Sequence, residues 1–198
     1  MAKNKVKYNL KNAHYAMLKV DEEGVVSFDK PVALPGAVSI SLDANGEPEN
    51  FYADGAAYYV INNNMGYDGD LELAMIPEDF RVSALNETLD DKKVLIENAN
   101  TELNPFALLF EFDGDVKHIR HVLYNCSASR PGIEGKTNEE NREVQTETLS
   151  IKATPLASGV VKAKTGDSTD AAVYADWYKA VYMPSIAETG SGTDQAGV

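Results

Sequence analysis

The densest group of side chains that could do chemistry lies in the segment FEFDGDVKHIRH, which holds Asp113, Asp115, His118 and His121 within nine residues. Carboxylates and imidazoles are the usual ligands of a hydrolytic metal ion. If VKHIRHVLY forms a β-strand, however, positions 118 and 121 differ by an odd number, so their side chains project to opposite faces. Asp-Gly between two apolar runs is also a strong hairpin signal. We therefore expect a β-hairpin here and no metal site.

Other motifs with chemical potential have simpler structural interpretations. YDGDLE alternates Asp68, Asp70 and Glu72 but lacks the spacing of a calcium-binding EF-hand loop, so we expect a turn leading into a strand. GSGTDQAG lacks the flanking strand and helix of a phosphate-binding loop, and no G-x-S-x-G elbow occurs. His14 is expected to be a half-buried strand residue. We expect neither a catalytic centre nor a cofactor.

Composition narrows the classes of partner. The formal charge of −13 argues against a protein that grips nucleic acid through its phosphates, because that binding needs clustered Lys and Arg. No apolar run follows the basic start of the chain, and none is long enough to span a bilayer, so we expect no signal peptide and no membrane association. Cys126 is the single cysteine and is expected to act as a small buried apolar residue.

The elements that must position these residues are mostly strands. VSISLD, LELAM and ETLSIKA alternate apolar and polar residues with the period of a half-buried strand, whereas PFALLFEF is typical of a strand buried on both faces. Turn-forming segments such as DANGEP and SRPGIEG separate the strands. The alternation predicts these core-facing residues: Val38, Ile40, Leu42, Leu71, Leu73, Met75, Leu149, Ile151 and Ala153.

Two helices interrupt the strands. PEDFRVSALNETL has Pro77 at a favourable first position, and its Val82, Leu85 and Leu89 would share one face. AAVYADWYKAVYMP would place an aromatic stripe against a sheet and end before Pro184. The pattern predicts a mainly β domain over residues 1–184 with a flanking helix.

Two segments are expected to be mobile in an isolated subunit. Residues 128–147 are polar and charged, with too few large apolar groups to order themselves, so they are expected to form a long loop or an extended hairpin arm. Residues 185–198 are rich in Gly, Ser and Thr and are expected to form a flexible tail.

A family resemblance emerges from the combination of several segments along the chain. FYADGAAYY, GYDGDLELAMIPEDF, FALLFEFDGDVKHIRHVLYNCSASRPGIEGKT and QTETLSIKA resemble, in order and spacing, the major tail proteins of long-tailed, non-contractile bacteriophages. The resemblance covers most of residues 5–184. It implies a β-sandwich or β-barrel core with bridging loops, and a structural protein whose rings, commonly hexameric, stack into the tube that conducts the genome.

The same resemblance implies where the protein works and with what. Its partners would be further copies of itself, the tail tip or initiator, the tape-measure protein and the tail terminator. DNA would pass through the tube without specific binding, since a negatively lined channel repels phosphates. The protein would reside in the virion after assembly in the host cytoplasm.

Aromatic and charged side chains are the candidates for contacts between subunits. A ring-former must pair two different surfaces of each subunit, and aromatic anchors suit the core of such contacts. Charges of the arm could pair with a neighbour's arm. The predicted interface residues are Phe51, Tyr52, Tyr58, Tyr59, Tyr67, Arg130, Glu134, Lys136, Glu139 and Arg142.

Two alternative functions stay open at this point. One is a tail-tip or tail-completion protein of related fold, which would form a ring but no long polymer. The other is an acidic cell-wall glycoside hydrolase, because a catalytic carboxylate pair is set by geometry in space and leaves no local motif.

Overall fold

A computed structural model describes residues 3–61, 63–137 and 143–185. Within these ranges the chain forms short and long strands with two brief helices, confirming the prediction of a mainly β protein. The elements in chain order are β1 (Lys7–Val20), β2 (Val26–Phe28), β3 (Val32–Ala33), β4 (Ala37–Asn45), β5 (Glu49–Ala53), β6 (Ala56–Ile61), β7 (Gly66–Leu73), α1 (Glu78–Ser83), β8 (Thr88–Leu89), β9 (Leu95–Ile96), β10 (Phe106–Gly114), β11 (Ile119–Ala128), β12 (Glu147–Thr154), β13 (Lys162–Lys164) and α2 (Ala171–Asp176).

Nine strands form one antiparallel sheet. Their order is β2-β1-β10-β11-β12-β7-β4, with β13 also paired to β11 and β3 to β1. Strands β1 and β4 lie near opposite ends of this order, yet they also contact each other. The sheet therefore curls toward a barrel. Strands β5 and β6 form a separate hairpin, as do β8 and β9.

The concave side of the sheet holds the inner core. Leu71, Leu149 and Ile151 are buried there, as the alternation predicts. Two predicted core residues are wrong. A register shift between Ala37 and Ser39 turns Val38 outward, and β7 ends at Leu73, which leaves Met75 73% exposed.

Strand β10 is buried on both faces, as predicted for PFALLFEF. Phe106, Leu108 and Phe110 point into the inner core, whereas Ala107 and Leu109 belong to an outer core on the convex side. Strand β10 therefore contributes side chains to both hydrophobic cores.

Helix α1 covers one end of the inner core. Phe80 is fully buried, and its ring centre lies 5.2 Å from that of Phe106. The helix is shorter than predicted, because Asn86 adopts a left-handed conformation with φ 57° that no helix can continue through. Leu89 therefore lies in β8 and does not share the helical face.

Helix α2 and the segment after it cover the outer core. The carboxylate of Asp170 accepts hydrogen bonds from the backbone of Ala172 and Val173, which caps the helix. The helix ends at Asp176, earlier than the pattern predicts. Trp177 is nevertheless buried, and its ring stacks 5.8 Å from that of Tyr182.

Two asparagines shape the long strand β1. Asn9 and Asn12 adopt left-handed conformations at two register shifts, and their side-chain amides donate to Asp113 and Glu111 respectively. These bulges bend β1 around the inner core. His14 lies half-buried in the same strand, as predicted.

Candidate assembly surfaces

The β5–β6 hairpin carries the most prominent aromatic surface. Every residue of β6 is exposed, and Tyr58 is 75% exposed. Asp54 and Gly55 at the tip both have positive φ, 53° and 79°, as a two-residue type I′ turn requires. No strand of the main sheet pairs with the hairpin in the described part of the chain.

Both faces of this hairpin are apolar. Phe51 lies opposite Tyr59, and Tyr52 lies opposite Ala57 beyond a bulge. Because successive residues of a strand alternate between faces, each face presents aromatic groups to solvent. The four hairpin aromatics predicted as interface residues thus lie together and exposed.

Tyr67 does not belong to this group. It lies half-buried in β7 of the main sheet, with the ammonium nitrogen of Lys162 4.1 Å from its ring centre. Its predicted interface role stays a prediction.

The polar arm connects β11 to β12. Gln145 holds its two limbs together by accepting from the backbone amide of Lys136 at 2.9 Å and donating to the carbonyl of the same residue at 2.7 Å. Arg130 pairs with Glu97 of its own chain at 3.0 Å. Glu134 is exposed, whereas predicted Glu139 and Arg142 lie outside the described residues. The predicted tail at 185–198 also lies outside them, except for its first residue.

The hairpin and the arm leave the barrel at opposite ends. The hairpin connects Asn45 to Gly66, which pair with each other at one end of β7. The arm leads into Glu147, which pairs with Leu73 at the other end of the same strand. The hairpin and the arm therefore connect to opposite ends of β7.

An acidic stripe lies on the convex face of β4 and β7. Asp68, Asp70 and Glu72 point outward between the core-facing residues of β7, and Asp43 of β4 is directly opposite Asp68. The sequence predicts a turn leading into a strand here; the strand is confirmed, but the turn is wrong at these acids, because β7 already begins at Gly66.

Hydroxyl groups of β4, of β12 and of the residue before β12 donate hydrogen bonds to this stripe. Thr146 donates to Glu72 at 2.7 Å and Ser39 donates to it at 2.8 Å. These two hydrogen bonds, the one from Thr146 first, lower the pKa of the Glu72 carboxyl. Ser150 donates to Asp70 at 2.7 Å. These hydrogen bonds hold the Glu72 and Asp70 side chains in place on this face.

The segment around Asp113 forms the predicted hairpin between β10 and β11. The ring of His118 contacts Asp113 at 2.8 Å, whereas the ring of His121 stacks on Phe110 in the inner core with centres 5.1 Å apart. Their side chains thus lie on opposite faces. Over the described ranges, no group of three or more His, Cys, Asp or Glu residues could hold a metal ion.

Burial lowers the pKa of His121 to about 4, and the charges of Lys164, Lys7 and Lys162 add to the effect. Burial also raises the pKa of the Cys126 thiol to about 12. That thiol lies in the inner core, fully buried, so it is protonated and inaccessible.

A buried polar network anchors the C-terminal segment. Glu111 accepts from Arg120 at 3.0 Å and from Tyr178 at 3.2 Å. The guanidinium of Arg120 also lies 3.9 Å from the ring centre of Tyr174. The buried Glu111 carboxylate is thus paired with a cation and hydrogen-bonded, which accounts for the burial of its charge.

A cavity of about 330 Å³ opens at the hairpin end of the barrel, between β4 and β7 on one side and β10, β11 and β13 on the other. Sequence patterns do not point to it, since its lining comes from six strands. The alternation of Lys162 and Lys164 around Ala163 is the signal that could have indicated a basic edge there.

A scan against models of known protein families gives no match, and a search of curated proteins gives none either. In the described part of the chain, no helix has the length and apolar character needed to cross a membrane.

Proposed function

We propose that this chain is the structural subunit of a phage tail tube, in which copies form rings that stack into a conduit for the genome. The observation that carries the proposal is the β5–β6 hairpin, whose two faces expose aromatic residues that its own subunit leaves uncovered. Contiguous apolar surface of this kind marks an interaction site in a soluble protein. The family resemblance of the sequence supports the same function.

The opposite placement of hairpin and arm supports an open or ring-forming assembly over a closed dimer. A surface that contacts a different surface on the next copy propagates, whereas a two-fold contact uses the same patch twice. The exposed hairpin strands also offer unpaired backbone groups to a neighbour.

The acidic stripe is assigned to the lumen of the tube. Asp43 and Asp68 lie directly opposite each other, and like charges in such a pair repel, although Lys152 of β12 is opposite Asp68 on its other side. Carboxylates facing a channel repel DNA phosphates over about 8 Å at physiological ionic strength, so the genome slides without adhering.

Self-association of the purified protein tests the proposal. Sedimentation velocity and negative-stain microscopy should find rings or tubes at high concentration, in the presence of a tail-tip initiator if nucleation requires one. The double variant Phe51→Ser, Tyr59→Ser should abolish them without changing the melting temperature, because both side chains are exposed. Val25→Ser is the control, because it removes a similarly exposed apolar side chain that lies outside the hairpin.

The form of the polymer distinguishes related functions. Long tubes support a tail tube subunit, and isolated rings that never stack would instead indicate a tail-tip or tail-completion protein. A strictly monomeric protein, with and without an initiator complex, would refute both.

A further inference from the structure

The cavity at the hairpin end of the barrel has apolar walls and a basic rim. Its walls include Tyr67, Phe110 and Phe112, together with the neutral ring of His121. Its volume of about 330 Å³ is at the lower end of the range of about 300 to 1,000 Å³ found for ligand pockets. It could therefore take one or two aliphatic side chains, but no large ligand.

Three lysines surround this cavity. Lys7 and Lys162 line it, and their ammonium groups lie over the rings of Phe112 and Tyr67 at 4.6 and 4.1 Å. Lys164 pairs with His121 in the register of β13 and β11, so it lies on the same face of the sheet. Among the described residues, no carboxylate lies within 4.0 Å of any of the three ammonium groups.

This basic rim belongs to a chain whose formal charge is −13. The cavity is lined by eleven residues, none of them acidic. A complementary occupant has an apolar side chain that enters the pocket and an adjoining carboxylate that reaches the lysines.

The arm at the opposite end of the barrel presents such a group. Ile133 is fully exposed in the described structure, and Glu134 follows it directly. A fully exposed isoleucine contributes no free energy of burial to its own subunit. Burying such a side chain in an apolar pocket is worth about 1.5 to 3 kcal/mol in general.

We propose that the cavity receives the Ile133–Glu134 segment from the arm of a second copy, with Ile133 among the aromatic walls and the Glu134 carboxylate at Lys7 and Lys162. This docking deepens the proposed function, on which it rests, because stacking head to tail brings the arm end of one copy to the hairpin end of the next. The arm therefore docks into a preformed pocket, and does not only pair with another arm.

Binding of a labelled peptide to the full-length protein tests the docking independently of polymerisation. The peptide SRPGIEGKT, residues 129–137, should bind saturably in a fluorescence-anisotropy titration at low protein concentration. Lys162→Glu should weaken binding at least about tenfold, since it replaces attraction by repulsion at the rim. Lys152→Glu makes the same charge change on the outer face of β12 and should leave the affinity unchanged. A peptide carrying Ile133→Ser should not bind.

A charge reversal in the full chain provides the second measurement. Lys162→Glu should raise the protein concentration needed for assembly at least about tenfold, and adding Glu134→Lys to the same chain should restore most of the loss. Both side chains are exposed, so neither change is expected to unfold the protein.

The outcomes separate this inference from the proposed function. Specific peptide binding by a protein that never forms tubes would support the pocket and refute the tube. Normal tubes from Lys162→Glu, or a peptide affinity equal for the wild type and Lys162→Glu, would overturn the pocket and leave the tube in place.

Discussion

His121 gives the sharpest test of the described packing, because its neutral form is required by its surroundings. Its ring packs against those of Phe110 and Phe112, and burial together with the charges of Lys164, Lys7 and Lys162 opposes its protonation. The pKa is lowered from 6.5 to about 4. As pH falls below 6.5, the unfolded chain binds a proton at this site and the folded chain does not, so the folded state loses stability.

The magnitude follows from the two pKa values. Between about pH 7 and about pH 4.5, one such histidine costs about 2.5 kcal/mol of unfolding free energy, and the loss levels off below the folded pKa. Carboxylates also make the unfolding free energy depend on pH. The test therefore compares the loss of unfolding free energy in the wild type with the loss in a variant that lacks this histidine.

His121→Phe keeps a planar ring in the pocket and removes the titration. Urea unfolding at both pH values should show that the wild type loses about 2.5 kcal/mol more than this variant. Parallel losses in the wild type and His121→Phe would refute the burial of a neutral His121.

Three further predictions concern the metal, the sheet and the arm. Chelator should leave the melting temperature of the wild type unchanged, as well as those of His118→Asn and His121→Asn; a substantial decrease would contradict the absence of a metal site in the hairpin. Gly66→Ala should cost more than about 2 kcal/mol in urea unfolding, because φ is 104° and a Cβ there would lie 1.8 Å from the carbonyl oxygen of Ala153; Gly166→Ala, with open space around it, should be close to neutral. Deleting residues 133–143 should spare folding and abolish polymerisation, and hydrogen exchange of the arm should slow on assembly; normal tubes from the deletion protein would show that the arm does not bridge subunits.

Sequence periodicity predicted the strands whose alternation is uninterrupted. Leu149, Ile151 and Ala153 of β12 are buried as expected, because this strand has no register shift against β7. The prediction for Val38 was wrong because β4 does have a register shift against β7. A single bulge reverses the direction of every side chain before it, and nothing in VSISLD announces the bulge.

The ends of helices were the other source of error. Local periodicity extended α1 to Leu89, whereas the backbone reverses direction at Asn86 and enters a small hairpin. The sequence holds a signal for the basic edge of the cavity but none for its walls, since Lys7 and Lys162 are far apart in sequence and meet only through the pairing of β1, β10, β11 and β13. Contacts set by tertiary pairing leave no local pattern.

The isolation of the β5–β6 hairpin from the main sheet has an evolutionary consequence. Residues of β10 are constrained from two sides, so most substitutions there reduce the stability of the whole protein. Substitutions at Phe51 or Tyr59 carry no such penalty, because the subunit folds without their burial. If the hairpin makes the proposed contacts, their specificity can therefore change residue by residue while the fold stays unchanged. The Asp54–Gly55 tip is, for the same reason, the natural site for inserting foreign peptides.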